Sequence, residues 1–205
     1  MRETMKLYGI TGSRALRSIW AAEEVGADYE LVKTHFMGDS KKPDYLALNP
    51  NGRIPTLVDG DLVLFESMAI NLYLAKKYGG DLYPKSEEDQ ARAVQWSFWG
   101  MTELEPGIMD VLIYRMMMPD DKKDPARAAA GEKGLARPLK VLEAHLAGRD
   151  TLLGGDFSIA DLNVASVLSM AGMVGLDLSD YPNVTAWLER CTSRPSMERA
   201  RTAEK

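Results

Sequence analysis

The sequence predicts a small mixed α/β domain followed by an all-helical one. Strand-like runs are confined to the first 80 residues: Met5–Ile10, Tyr29–Thr34, Thr56–Val58 and Leu62–Phe65. Helical patterns interrupt them in the order βαβ-α-ββα, and a crossover helix between the first two strands requires those strands to run parallel. After Gly79-Gly80 no further strand pattern occurs. The chain therefore divides into residues 1–80 as the α/β domain, 81–86 as a linker and 87–205 as the helical domain.

Each element has a local cause. The first helix is expected over Arg14 to Val25, with Leu16, Ile19, Trp20, Ala22 and Val25 on one face and Gly26 as the stop signal. Tyr29 to Thr34 alternates polar and apolar side chains, and Pro43 to Leu48 supplies one or two helical turns. Asn49-Pro50-Asn51-Gly52 is turn chemistry, because proline presets φ and Asn-Gly supplies positive φ. Ile54-Pro55 is a candidate cis bond, since an X-Pro peptide keeps only about 0.5–1 kcal/mol of trans preference. Asp59-Gly60-Asp61 joins the last two strands as a hairpin, and Glu66-Ser67 opens a helix carrying Ile70, Leu72, Tyr73, Leu74 and Tyr78. A polar pair at a helix start beside a strand end forms an anion-receiving corner, or an ordinary capped helix.

In the second half, Ser86 followed by Glu87, Glu88 and Asp89 starts a helix with acids where the macrodipole favours them. It runs through Trp96, Phe98, Trp99, Met101 and Leu104, with a bend expected at Pro106-Gly107 before Ile108 to Met118. Pro125 to Leu146 forms a long helix weakened by Gly131, Gly134 and Pro138. Ser158 and Asp161 resemble a capping box ahead of a buried helix through Leu162 to Val174. Asp180-Tyr181-Pro182 opens another helix, and Pro195 a last short one.

Composition excludes several classes. A net charge of −5 argues against general nucleic-acid binding, which needs clustered Lys and Arg to neutralise phosphates. The stretch MRETMKLYG lacks a signal-peptide core, and no run approaches the roughly 18–20 apolar residues of a membrane span, so a cytoplasmic protein without membrane attachment is expected. His35 and His145 lie far apart and Cys191 is the single cysteine, so neither a metal site nor an internal disulfide is expected. Cys191 falls in a helical pattern with Val184, Trp187 and Leu188, which suits a packed thiol better than a nucleophile.

Taken together, the strand and helix separated by a hydroxyl residue, the NPNGRIP segment, the hairpin leading into FESMAINLYLAKKYG, and FSIAD in the helical half resemble the cytosolic glutathione S-transferases over essentially the full length. The resemblance is to the bacterial-type members with a hydroxyl rather than a cysteine active site. It implies a thioredoxin-like first domain, a helical second domain, a homodimer, and glutathione as co-substrate with no metal. It further implies that Ile54, next to Pro55, offers its backbone to the cysteinyl unit of glutathione, a miniature strand addition. Glu66 and Ser67 receive the γ-glutamyl end, and Arg53 approaches the glycyl carboxylate.

The implied chemistry is conjugation of the glutathione thiol to a small, largely apolar electrophile, with peroxidase or isomerase side activity open. The thiol must be held as thiolate, and each unit of pKa lowering needs about 1.4 kcal/mol of preferential stabilisation. Ser13, at the start of the first helix, is the leading donor; Thr11 is the alternative, and Tyr8 is a further hydroxyl that falls within the first strand pattern. Ser13 can also serve as a helix cap. The electrophile pocket draws on Trp96, Trp99, Met101 and Tyr114, with Met109 and Met116 to Met118 as further candidates; the same stripe also suits core or dimer contact. A fold of this type also serves as a non-catalytic interaction module or ligand carrier.

Overall fold

The computed structural model describes residues 4–204. The chain forms two compact units, Met1–Tyr83 together with Ser193–Lys205, and Pro84–Thr192.

The first unit is built on a four-stranded sheet of order β2-β1-β3-β4: β1 (Met5–Gly9), β2 (Tyr29–Lys33), β3 (Thr56–Asp59) and β4 (Leu62–Phe65). The β1–β2 pair is parallel, as the crossover helix α1 (Ala15–Glu24) requires, and β3 is antiparallel to both β1 and β4. Leu7 and Leu57, paired across β1 and β3, are fully buried. Gly9 closes β1 where a side chain is impossible, because a Cβ there would lie 2.2 Å from the Ala15 Cβ. That close approach turns the chain directly from β1 into α1. The short α2 (Pro43–Leu48) precedes β3, and α3 (Ser67–Tyr78) follows β4.

The hairpin is locked to α3 through one carboxylate. Asp59 accepts hydrogen bonds from Tyr73 Oη (2.7 Å), Tyr78 Oη (2.8 Å) and Lys77 Nζ (2.5 Å). Burial alone would raise the Asp59 pKa, but these three donors outweigh it and hold the carboxyl at about 2.

Burial on α1 is broader than the predicted stripe. Ala15 and the run from Arg17 to Ala22 are all buried, whereas Leu16 and Val25 are only half-buried. The cause is a final helix, α10 (Pro195–Thr202), which packs on α1 within the first unit. Trp20 Nε1 donates to Ser196 Oγ at 3.0 Å, and Arg194 grips the Glu24 carboxylate through Nε (3.1 Å) and Nη2 (2.5 Å). Ser196 Oγ also donates to Glu24, and Arg199 Nε donates to Glu23 at 2.8 Å. Burial pushes the Glu24 pKa up, and the bonds from Arg194, Ser196 and Trp20 bring it below the ordinary carboxylate range. The C-terminal helix that the sequence pattern groups with residues 87–205 thus belongs to the first unit.

The second unit, among its described residues, is helical throughout: α4 (Glu87–Trp99), α5 (Glu105–Val111), α6 (Pro125–Leu146), α7 (Ile159–Leu168), α8 (Ala171–Val174) and α9 (Pro182–Thr192). Ser86 caps α4 by accepting the Asp89 N–H at 3.1 Å. The break expected at Pro106-Gly107 falls earlier: a π-helical run over Gly100–Leu104 leads into α5, so Pro106 occupies the first turn, where its missing N–H costs nothing. A second π-helical run follows over Leu112–Met117. Gly131 turns out to be a packing position: a Cβ there would meet Asp110 Cβ at 2.8 Å and Gly107 O at 2.9 Å, so α5 and α6 touch backbone to backbone. Every residue of α7 is buried, and its Ser158–Asp161 capping box is formed. Asp161 also accepts from Leu152 N (2.8 Å) and Trp187 Nε1 (2.9 Å), which ties α7 to α9.

Candidate functional site

Strand register gathers the predicted residues of the first unit at one end of the sheet. Tyr8 pairs with Thr56 and Thr56 with Phe65, in strands that alternate in direction. Ser13 lies beyond the C-terminal end of β1, Ile54-Pro55 just before β3, and Glu66-Ser67 just after β4. All three segments therefore emerge at the same edge.

Ser13 is half-buried, two residues ahead of α1. Its Oγ accepts the Ala15 N–H at 3.1 Å and donates to the Ile10 carbonyl at 2.8 Å. One hydroxyl thus satisfies the first N–H of a helix and has its own proton parked on a neighbouring carbonyl, from which a rotation about the Cβ–Oγ bond can redirect it while the oxygen stays in place. Thr11 is placed differently. Its N–H donates to the Glu204 carboxylate, whose pKa is lowered first by that bond, against burial, and further by the Thr11 hydroxyl and Lys33. Tyr8 is a strand residue, paired with Val32 and Thr56, with its ring edge-on to Tyr45 at 5.9 Å.

The Ile54-Pro55 bond is cis. Ahead of it, the Arg53 carbonyl accepts from Tyr45 Oη (2.6 Å) and Asn49 Nδ2 (2.9 Å), both of which also contact Thr56 Oγ1. The Arg53 side chain is exposed. A second cation stands at the same turn: Lys41 Nζ donates to the Gly52 carbonyl at 2.6 Å. Sequence reasoning missed Lys41 because it lies in a polar loop, 11 residues before the turn it reaches.

Glu66 has φ 73°, ψ 114°, outside the regions that a side chain readily adopts, and it is the sole non-glycine residue with positive φ among those described. This strained residue is exposed, whereas Ser67, the first residue of α3, is buried. A hydroxyl and helical N–H groups at the start of a 12-residue helix favour an anion, and the adjoining carboxylate favours an ammonium, so the pair suits a zwitterionic amino-acid end.

The electrophile-pocket candidates belong to the second unit. Trp96 is buried, edge-on to Trp99 (5.0 Å) and tilted against His145 (4.7 Å), which makes it a core residue of that unit. Met101 and Tyr114 are half-buried and carried by the two π-helical runs, and the Arg127 guanidinium lies over the Tyr114 ring at 4.4 Å. A cavity of about 190 Å³ near the end of α6 is lined by Arg149, Asp150, Asn183 and Arg190 among others, and includes none of these candidates. Its charged lining does not suit an apolar electrophile. Among the described residues, no helix is long and apolar enough to cross a membrane, and no group of three or more His, Cys, Asp or Glu is arranged to hold a metal ion.

Residues 3–76 match the glutathione S-transferase N-terminal domain, and residues 104–195 the C-terminal domain of the same family. Glutathione S-transferase 3 of Zea mays is 36% identical over 212 residues, covering 95% of this chain and 92% of the relative. Among solved structures, the theta class glutathione S-transferase from Xanthomonas axonopodis pv. citri with glutathione bound superposes with a TM-score of 0.89 at 32% identity, over 98% of this chain and 97% of that one. Glutathione S-transferase I from Mais, in complex with an atrazine glutathione conjugate, superposes with a TM-score of 0.88 at 33% identity, over 98% and 97% of the two chains.

Proposed function

Because the chain belongs to the glutathione S-transferase family, we propose that it binds glutathione at the shared edge of the first unit's sheet and transfers the thiol to a small, largely apolar electrophile. The observation that carries this reading is the convergence of three segments on one edge: the Ser13 loop, the Ile54-Pro55 segment and the Glu66-Ser67 corner. Glutathione is a γ-glutamyl zwitterion, a cysteinyl peptide and a glycyl carboxylate in series. The Glu66-Ser67 corner takes the zwitterion, and the Ile54 backbone pairs with the cysteinyl unit. Arg53 and Lys41, both at the Asn49–Gly52 turn, attract the glycyl carboxylate.

Ser13 then acts on sulfur. Its hydroxyl leaves the Ile10 carbonyl and donates to the thiolate, while Oγ goes on accepting the Ala15 N–H, which polarises the hydroxyl further. The N-terminus of α1 adds a favourable dipole. The thiolate attacks the electrophilic carbon, the new C–S bond forms, and the leaving group departs with its electron pair. Peroxide reduction and isomerisation follow from the same activated sulfur.

The reading includes a homodimer in the cytoplasm. The support for a partner copy is on α4, where Val94 and Phe98, one helical turn apart, are exposed, Phe98 by 67%.

Retention on immobilised glutathione and turnover of an activated aryl halide test the proposal. Retention with turnover supports it. Retention without turnover leaves a glutathione carrier, and absence of both points to an interaction module.

A further inference from the structure

The arrangement of Tyr45, Asn49 and Thr56 fixes more than a turn. Tyr45 and Asn49 are 6% and 1% exposed, and Thr56 is fully buried. Their hydrogens can be assigned in one way. Asn49 has two amide hydrogens, and its Nδ2 contacts Arg53 O at 2.9 Å and Thr56 Oγ1 at 3.1 Å, one for each. The Tyr45 hydroxyl donates to Arg53 O at 2.6 Å. The 2.7 Å contact between Tyr45 Oη and Thr56 Oγ1 is therefore donated by Thr56. On the other side of the amide, Asn49 Oδ1 accepts from Asn51 N and Asn51 Nδ2, both at 3.1 Å, which sets the amide orientation. Burial raises the Tyr45 pKa, so the phenol stays a donor across the physiological range.

The Arg53 carbonyl thus has both lone pairs engaged by buried donors. The Arg53-Ile54 peptide is planar and trans, so its N–H points opposite to its C=O. Anchoring the carbonyl in the interior aims the Ile54 N–H away from the cluster. Among the described residues that N–H meets no acceptor, although Ile54 is buried. An unpartnered amide on a residue that is only 8% exposed leaves a hydrogen bond for a ligand to supply.

We infer that Tyr45, Asn49 and Thr56 are positioning residues for glutathione: by holding the Arg53 carbonyl they aim the Ile54 N–H at the cysteinyl carbonyl of the ligand. The inference rests on glutathione being the ligand of this edge and adds residues that do not themselves touch it. Preorganising one peptide plane lowers the cost of binding, because that plane would otherwise have to be ordered when the ligand arrives.

The test is calorimetric binding of two probes to the wild-type chain and to Tyr45→Phe. One probe is glutathione; the other is an analogue in which a trans-alkene replaces the cysteinyl-glycine amide, keeping its shape but removing the carbonyl oxygen. The expected result is that Tyr45→Phe weakens glutathione binding about tenfold, in the range of one hydrogen bond to a fixed group, and leaves binding of the alkene analogue unchanged. In steady state the change falls on the KM for glutathione and spares kcat at saturation and the KM for the electrophile. Equal glutathione affinity in wild type and variant overturns the inference. So does equal weakening for both probes, which signals general loosening. If Tyr45→Phe does not fold, Thr56→Ala and Thr56→Ser take its place: the alanine variant should weaken glutathione alone, and the serine variant should restore wild-type affinity. Failure of the wild-type chain to bind glutathione overturns the reading of the site itself, a distinct outcome.

Discussion

Replacing Ser13 by alanine should raise the pKa of bound glutathione by about one unit. Without ligand, the Ser13 hydroxyl donates to Ile10 O at 2.8 Å, so serving the thiolate means giving up a neutral hydrogen bond. A hydrogen bond to a charged group contributes roughly 1.5–3 kcal/mol and a neutral one about 1 kcal/mol, which leaves ~0.5–2 kcal/mol in favour of the anion. At about 1.4 kcal/mol per unit, that is about one pKa unit. The dipole of α1 is untouched and continues to contribute a smaller lowering. The assay is the ultraviolet absorbance of the thiolate against pH in the binary complex, together with kcat/KM over the same range. Below both pKa values the variant should be about tenfold slower, because tenfold less thiolate is present. Above both, the gap should close. An unchanged thiol pKa in Ser13→Ala, or a rate gap of equal size at every pH, would refute the assignment; a shift in Thr11→Ala or Tyr8→Phe instead would move the role to that hydroxyl.

Three further outcomes follow from the packing. Asp59→Asn should be less stable than wild type above about pH 4 by ~2 kcal/mol, since a carboxyl held at about 2 when folded and near 3.9 when unfolded stabilises the fold only while ionised. The stability gap should shrink as pH falls through 2, and urea melts at stepped pH measure it. Gly131→Ala should destabilise while Gly134→Ala should stabilise, because a Cβ at 131 meets the Gly107 carbonyl at 2.9 Å and one at 134 meets nothing within 4 Å. Overpacking costs about 1–3 kcal/mol and helix propensity returns about 1 kcal/mol, so thermal melts should separate the two variants by roughly 1–3 kcal/mol. Arg194→Ala should cost about 2 kcal/mol in chemical denaturation, as it removes the guanidinium from the Glu24 carboxylate and leaves that charge only neutral donors such as Ser196.

What the sequence discloses is what short-range chemistry determines. The parallel β1–β2 pair follows from a crossover helix, the hairpin from Asp-Gly, and the Ser158–Asp161 box from residues three apart. Because Ser13, Ile54-Pro55 and Glu66-Ser67 follow or precede strand ends, the order and antiparallel directions of β1, β3 and β4 carry them to one edge. What stays hidden depends on distant partners. Pro195 signals a helix start, yet nothing near it discloses that Arg194 meets Glu24 across 170 positions. Gly131 reads as a weak point in a helix because periodicity cannot show that α5 lies against it. The π-helical runs flanking α5 stay hidden because runs of 5 and 6 residues are too short for apolar periodicity to tell i→i+5 from i→i+4 hydrogen bonding. Asn49 reads as turn chemistry; its hold on the Arg53 carbonyl appears only when Tyr45 and Thr56 are beside it.

The central claim, that this sheet edge holds glutathione with its sulfur at Ser13, is tested most directly by a crystal structure of the chain with glutathione bound. The account predicts the sulfur within about 3–3.5 Å of Ser13 Oγ, the cysteinyl carbonyl on the Ile54 N–H, and the γ-glutamyl end at Glu66 and Ser67. Glutathione lying elsewhere, or a sulfur that meets Thr11 or Tyr8 with Ser13 still donating to Ile10, would contradict it.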